Sequence, residues 1–155
     1  MRYSTLEVME MAVQTEKGGR QFYEDVARSL GDDKLVNVFR FLADEEARHV
    51  RVFEQISRSV KTAADEVPYN WDEATLYLRA IVSSRYFLSP DKAEQLAAAT
   101  KTPAQAIEYA LGFEKDTLLF FNEVLAMMDD ANRSAVGQLI EEEKSHIRKL
   151  SALRL

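Results

Sequence analysis

The sequence predicts an all-α protein, a four-helix bundle built from two helical hairpins joined by a long crossover. Four segments carry apolar residues at the three- and four-residue spacing of an α-helix. The joins within each pair of segments are very short, as in antiparallel hairpins, whereas about forty residues separate the two pairs. We expect one domain over residues 1–155, with hairpins at 5–60 and 102–153 and a crossover at 61–101.

The first hairpin is bounded by typical helix-terminal residues. Its first helix is expected over residues 5–30, because Ser4 and Glu7 have the spacing of a capping box and Gly31 is a common helix stop. Its second helix is expected over residues 33–60, with the Asp-Asp pair at the join providing a cap.

The second hairpin begins with a similar signal. Thr102 can cap the third helix, and Pro103 suits its first position. The fourth helix opens after an Asp-Asp pair at residues 129–130. In the crossover, an aromatic and apolar stretch at residues 76–88 and a capping Ser89 predict one or two accessory helices.

A Glu-x-x-His motif occurs once in each hairpin, and each copy follows a matching upstream glutamate. The two halves align at an offset of 98 residues for the first and third helices and 97 for the second and fourth. The residues of this repeated pattern, all on apolar stripes, are Glu16, Glu46, His49, Glu114, Glu143 and His146. Residues three apart share a helix face, so each Glu-x-x-His can bind one metal ion.

Four carboxylates on apolar stripes predict a pair of divalent cations. Their burial would carry a large desolvation cost unless cations accompany them. Arg20, at the edge of one stripe, can serve one glutamate but not four. The chain has no cysteine, and mixed carboxylate and imidazole ligation without thiolate suits iron or manganese, although zinc can occupy such a site. Calcium or magnesium would not call for two imidazoles.

On these motifs the chain resembles the rubrerythrin-type, ferritin-like di-iron carboxylate proteins, through residues 15–23, 42–49 and 114–121. The resemblance implies a ferritin-like bundle that holds two iron ions, or manganese or a mixed pair. It implies that Glu16 and Glu114 are terminal carboxylates and that Glu46 and Glu143 are bridging carboxylates. It also implies one imidazole per metal, from His49 and His146. Family members reduce peroxide or oxygen at this centre, and ferritin relatives oxidise Fe(II).

Two departures from the family pattern bear on the activity. Full-length rubrerythrins carry a four-cysteine iron domain that feeds in electrons, and a chain without cysteine needs an external electron donor. Rubrerythrins also carry an extra carboxylate one turn beyond the first ligand of the third helix, where this chain has Thr117, or Leu118 at one residue further. We therefore keep two functions open, a di-iron oxidoreductase and a metal-binding protein that oxidises Fe(II) without a dedicated peroxidase role. A metal-free helical scaffold is the third reading.

Several residues near the motifs have two interpretations. Tyr23 can bond a ligating carboxylate or act as a redox-active tyrosine, or it can be an ordinary core aromatic. Glu45 and Glu142 can accept the second ring N–H of the histidine on the opposite helix, or they can belong to a solvated acidic face. Gly18 and Gly19 can leave a gap for an oxidant or allow close helix packing.

Composition limits the partners. The net charge of −6 and a pI near 5.0 argue against nucleic acid as the main partner. The sequence shows no signal-peptide pattern and no apolar run of membrane-spanning length, so we expect a cytoplasmic protein without membrane contact. The resemblance implies a homodimer or larger homo-oligomer, with peroxide, oxygen or Fe(II) as the small-molecule substrate.

Overall fold

A computed structural model describes residues 3–60 and 71–154. Within those residues the chain forms helices and no strand, which confirms the all-α prediction. The helices are α1 (Thr5–Ser29), α2 (Asp33–Ser59), α3 (Trp71–Val82), α4 (Pro90–Ala99), α5 (Pro103–Met127) and α6 (Asp130–Ala152). None of these helices is both long enough and apolar enough to cross a bilayer.

The helix starts follow the capping residues that the sequence indicates. Ser4 and Glu7 form a reciprocal capping box at α1, and side-chain oxygens of Asp32, Ser89 and Thr102 accept backbone N–H groups at α2, α4 and α5. These contacts satisfy amide groups that have no partner inside the helix.

The predicted role of Gly31 as the stop of α1 is wrong. The helix ends at Ser29, and Leu30 leaves it in an extended conformation with φ −104° and ψ 141°. The Leu30 N–H still bonds the Val26 carbonyl. Because the chain departs through an extended residue, no left-handed glycine is needed there.

The two predicted hairpins close into one bundle. α1 pairs with α2 and α5 pairs with α6, while α1 also packs on α5 and α2 on α6. Two accessory helices lie in the crossover: α3 packs on α5, and α4 runs along α1. The four-helix bundle with two hairpins and accessory helices is therefore confirmed, while residues 61–70 of the crossover lie outside the described residues.

The core consists of two apolar layers. One layer draws on the beginnings of α1 and α6 and the ends of α2 and α5, and the other draws on their opposite ends. Representative side chains of the first layer are Val13, Phe53, Phe120 and Ile140, and of the second Phe22, Leu42, Phe113 and Leu150. On each bundle helix a short polar segment lies between these layers, and this segment carries the candidate ligands.

Candidate metal centre

The structure brings all six residues of the repeated pattern together in the middle of the bundle. Helical periodicity directs each of them inward, in register with the apolar residues before and after it. Every one of the six is at most 1% exposed. Buried carboxylates and imidazoles at this density require charge compensation from each other, from protons or from metal ions.

The six residues form two overlapping sets of four that could each hold a metal ion. In each set the ligand atoms lie within 4.8 Å of one another. The sets are Glu16, Glu46, His49 and Glu143, and Glu46, Glu114, Glu143 and His146. Glu46 and Glu143 belong to both sets, so these two carboxylates lie where they could bridge two ions. The remaining carboxylate and imidazole of each set belong to that set alone.

The Nδ1 atoms of both imidazoles face the carboxylates. His49 Nδ1 lies 3.3 Å from Glu16 Oε2 and 2.9 Å from Glu143 Oε1. His146 Nδ1 lies 3.4 Å from Glu114 Oε1 and 3.0 Å from Glu143 Oε2. The two rings stack with their centroids 5.6 Å apart. One nitrogen of each histidine is thus directed into the carboxylate cluster.

The outer nitrogen of His49 is held by a carboxylate from the other hairpin. Glu142 Oε2 lies 2.9 Å from His49 Nε2 and 2.6 Å from Arg48 Nη2. This contact fixes the ring orientation that turns Nδ1 towards the cluster. The matching distance from His146 Nε2 to Glu45 Oε2 is 3.9 Å, which is too long for a hydrogen bond. Glu45 instead pairs with Arg48.

Arg48 is a residue that the sequence analysis missed. It bonds carboxylates of both hairpins, Glu45 at 3.1 Å and Glu142 at 2.6 Å. Charge alone does not single it out in the sequence, because arginine side chains mostly lie on protein surfaces. The internal repeat does give a signal: the equivalent position is Ser145, so the two histidines cannot be supported in the same way.

The other charged residues considered from the sequence lie away from the cluster. Arg20 pairs with Glu24 on the exposed face of α1, so it does not serve a buried glutamate. Asp44 is exposed, and Glu141 pairs with Lys144 in solvent. Among the described residues, the protein groups that could balance the charge of the buried carboxylates are therefore the two imidazoles.

Tyr23 contacts a candidate ligand directly. Its hydroxyl donates to Glu114 Oε1 at 2.5 Å, and the side chain is fully buried. Burial, and then the negative charge of Glu114, raises the pKa of Tyr23 well above its usual value. The phenol is therefore a protonated donor. The repeat places Phe121 at the equivalent position, so Glu16 receives no such bond.

The paired glycines of α1 serve close packing. A β-carbon on Gly19 would lie 2.4 Å from the Phe113 ring, and one on Gly18 would lie 2.9 Å from the Leu88 backbone. The space beside each glycine is therefore filled by a neighbouring group. Of the two interpretations, packing accounts for both positions, and neither glycine leaves a gap for an oxidant.

The buried polar atoms of the cluster lack directed hydrogen bonds. Although several nitrogen–oxygen distances are short, their geometry leaves many atoms without a partner. These atoms are Glu16 Oε1 and Oε2, Glu46 Oε1 and Oε2, His49 Nδ1, Glu114 Oε2, Glu143 Oε1 and His146 Nε2. A fully buried, unpartnered carboxylate is costly, and oxygen and nitrogen donors of this kind suit divalent iron, manganese or zinc. The residues therefore fit a pair of metal ions.

The acid–base state of the cluster supports the same conclusion. Burial, and then repulsion from the two shared carboxylates, raises the pKa of Glu16 and of Glu114 well above its usual value. Burial acts to lower the pKa of each histidine, but the surrounding carboxylates outweigh it and raise that pKa. Without metal, protons balance the charges, and these protons must leave when cations bind.

Two comparisons identify the chain's relatives. The Rubrerythrin family profile matches residues 7–154. A crystal structure from Thermotoga maritima, described as that of a ferritin-like di-iron carboxylate protein, is similar with a TM-score of 0.71. That match has 24% identity and covers 99% of this chain and 95% of the other, so it shows the fold. A search of curated proteins gives no significant match.

The family match covers nearly the whole sequence and includes both Glu-x-x-His motifs. The family match agrees with two features of the structure, the pair of helical hairpins and the buried cluster of carboxylates and imidazoles. The resemblance found in the sequence is confirmed: the chain belongs to the rubrerythrin family.

Proposed function

We propose that this protein is a di-iron oxidoreductase that reduces hydrogen peroxide, or oxygen, with electrons from an external donor. Its metal ligands would be the six clustered residues, with Glu46 and Glu143 shared between the two ions. The observation that carries the proposal is the pair of overlapping ligand sets, sealed inside the core of a rubrerythrin-family bundle. Iron bound there supplies electrons and Lewis acidity.

Burial of the centre favours a resident cofactor over iron in transit. The candidate ligands lie between two apolar layers and have almost no solvent exposure. An ion that must enter and leave repeatedly would have to lose its hydration shell each time. A pair of ions held permanently, with a small oxidant arriving at them, avoids that cost.

The protein's own groups have defined tasks in this function. The four carboxylates neutralise the metal charge, and the apolar layers exclude bulk water. Glu142, fixed by Arg48, orients the His49 ring. Tyr23 donates a hydrogen bond from its buried hydroxyl to Glu114 and so holds that carboxylate in place. Reduction of peroxide to water consumes an electron pair and a proton pair, and both must be resupplied from outside the cluster.

Peroxide consumption under anaerobic conditions tests the proposal. The protein is loaded with Fe(II) and mixed with peroxide beside a Glu46→Ala, Glu143→Ala double variant. An Asp44→Ala, Glu141→Ala double variant is the matched control, because it removes exposed acids of the same two helices. We expect rapid consumption by wild type and control and loss in the first variant. Equal rates in all three proteins would reject the proposed centre.

Thr117 favours the alternative function, oxidation of Fe(II) without a dedicated peroxidase role. This side chain is fully buried three residues after Glu114, where the family resemblance leads us to expect a carboxylate. Supplying excess Fe(II) with oxygen separates the two functions. Repeated turnover of added Fe(II) without added reductant supports the alternative, whereas arrest after the resident ions are oxidised supports the reductase.

A further inference from the structure

The two histidines of the centre turn their outer nitrogens towards three partly exposed charged residues. These are Glu45 and Arg48 of α2 and Glu142 of α6, which we call the outer cluster. Their side chains are 26%, 37% and 23% exposed, respectively. The six candidate ligands behind them are at most 1% exposed. The change from almost complete burial to solvent contact therefore takes place across the two imidazole rings.

The outer cluster is continuous with the centre through both rings. Glu142 Oε2 lies 2.9 Å from His49 Nε2, and Glu45 Oε2 lies 3.9 Å from His146 Nε2. Glu45 also forms, with the two histidines, a third set of residues whose possible ligand atoms lie within 4.8 Å of one another. The same two histidines therefore belong to the buried ligand sets and to this outer one.

His146 presents a free ligand atom to the outer cluster. Its Nε2 is buried and makes no hydrogen bond, whereas the matching nitrogen of His49 is bonded to Glu142. The 3.9 Å to Glu45 is too long for a hydrogen bond. It is within the span of two ligands that each lie about 2.0–2.2 Å from one divalent ion, as in zinc sites. A divalent cation therefore suits the space between these two side chains.

Arg48 closes the outer cluster with its own charge. Its Nη2 lies 3.1 Å from Glu45 Oε2 and 2.6 Å from Glu142 Oε2, so one guanidinium bridges an acid from each hairpin. A partly exposed ion pair is weak because water screens it. A divalent cation can therefore compete for the same two carboxylates, and the displaced guanidinium can move into the solvent that it already contacts.

We propose that the outer cluster is the entry site of the divalent metal ions, with Arg48 as its gate. An entering ion binds transiently to Glu45, Glu142 and the free nitrogen of His146. The proposal rests on the two-ion centre of the proposed function and adds the route by which that centre is filled. Stepwise exchange of water for protein ligands spares the ion the cost of losing its whole hydration shell at once. Once both inner ions are bound, each histidine carries hydrogen on its outer nitrogen, so the entry site holds no third ion.

The rate of Co(II) uptake by the metal-free protein tests the entry site without relying on peroxidase activity. The visible absorption of bound Co(II) follows uptake in a stopped-flow instrument. Glu45→Gln removes one carboxylate of the entry site and should slow uptake about 3–10-fold, because less negative charge attracts the cation. Asp44→Asn removes the same charge from the exposed neighbouring position and should take up Co(II) as fast as wild type. Both variants should finally bind two ions.

Arg48→Met tests the gate, and its expected effect has the opposite sign. Methionine keeps an unbranched side chain and removes the competing charge, so uptake should become about 3–10-fold faster. Arg51→Met, at an exposed position of the same helix, is the matched control and should leave the rate unchanged. An arginine that only holds Glu142 against His49 would instead weaken final binding when replaced, without a gain in rate. Uptake by Arg48→Met that is no faster than that of wild type would overturn the gate.

The outcomes separate this proposal from the proposed function. If Glu45→Gln takes up two Co(II) ions as fast as wild type while iron-loaded wild type consumes peroxide, the entry site is wrong and the function stands. If the uptake rates change as expected but iron-loaded wild type consumes no peroxide, the function is wrong and the entry site stands. A wild-type chain that binds no Co(II) overturns both.

Discussion

Replacing Glu16 by glutamine should stabilise the metal-free protein and destabilise the metal-loaded one. Glu16 is fully buried, and neither of its carboxylate oxygens has a hydrogen-bond partner. Its pKa is raised by burial and then by repulsion from Glu46 and Glu143, so ionisation at pH 8 opposes folding. Glutamine keeps the shape and removes the charge.

The size of the effect follows from proton linkage, because each pH unit over which the folded protein keeps a proton that the unfolded chain releases costs about 1.4 kcal/mol. Removal of this cost should raise the free energy of unfolding of the metal-free protein at pH 8 by about 1–3 kcal/mol. For a chain of this length each kcal/mol moves the melting temperature by about 2–4 °C, which gives an increase of about 2–12 °C. With metal bound, the substitution should instead lower the melting temperature, because it removes an anionic ligand. Metal affinity should fall by at least ~10–100-fold, the loss typical when a residue that only hydrogen-bonds a ligand is removed.

Thermal unfolding with chelator and with added metal measures both effects at pH 8. Glu10→Gln makes the same charge change at an exposed position of α1 and should shift either melting temperature only slightly. A Glu16→Gln protein that melts no higher than wild type in chelator would refute the idea of an uncompensated carboxylate. A variant that remains as stable as wild type with metal would remove Glu16 from the ligand set.

Three further predictions concern the same region. The free energy of unfolding of the metal-free protein should fall as pH rises from about 5 to 8, because the raised pKa values of Glu16 and Glu114 let the folded chain keep protons that the unfolded chain releases. Chemical unfolding at several pH values measures this, and a stability that rises with pH would contradict it. Tyr23→Phe removes the donor to Glu114 and should cost about 1–3 kcal/mol in chemical unfolding; an unchanged midpoint would show that the contact is not made. Gly18→Ala should lower the free energy of unfolding by about 1–3 kcal/mol, because its β-carbon meets the rigid Leu88 backbone. Gly137→Ala, with no atom within 4 Å of the added β-carbon, should raise it by about 1 kcal/mol in the same measurement. Equal effects of the two substitutions would contradict the packing explanation.

The fold could be predicted largely from local patterns. Helical periodicity and capping residues act within a few positions of each other, so the helix starts that Ser4 and Thr102 cap follow directly from the sequence. The convergence of the six clustered residues was also accessible, because the internal repeat assigns equivalent positions to both hairpins. A residue such as Gly31 misleads, since an extended Leu30 ends the helix as well as a left-handed glycine would.

Contacts between distant segments were beyond local patterns. Arg48 reaches Glu142 across the hairpins, and the bond from Tyr23 to Glu114 depends on how α1 and α5 are aligned along the bundle. Nothing in the spacing of residues fixes that alignment to within the reach of one hydrogen bond.

Metal content is the most direct test of the central claim, that buried carboxylates and imidazoles hold two metal ions. Elemental analysis of the purified protein by mass spectrometry gives both the number and the identity of the ions. We expect about two ions per chain, mainly iron, and almost none in a Glu46→Ala, Glu143→Ala variant that remains folded by circular dichroism. Wild-type protein that binds no metal, or a variant that binds as much as wild type, would contradict the claim.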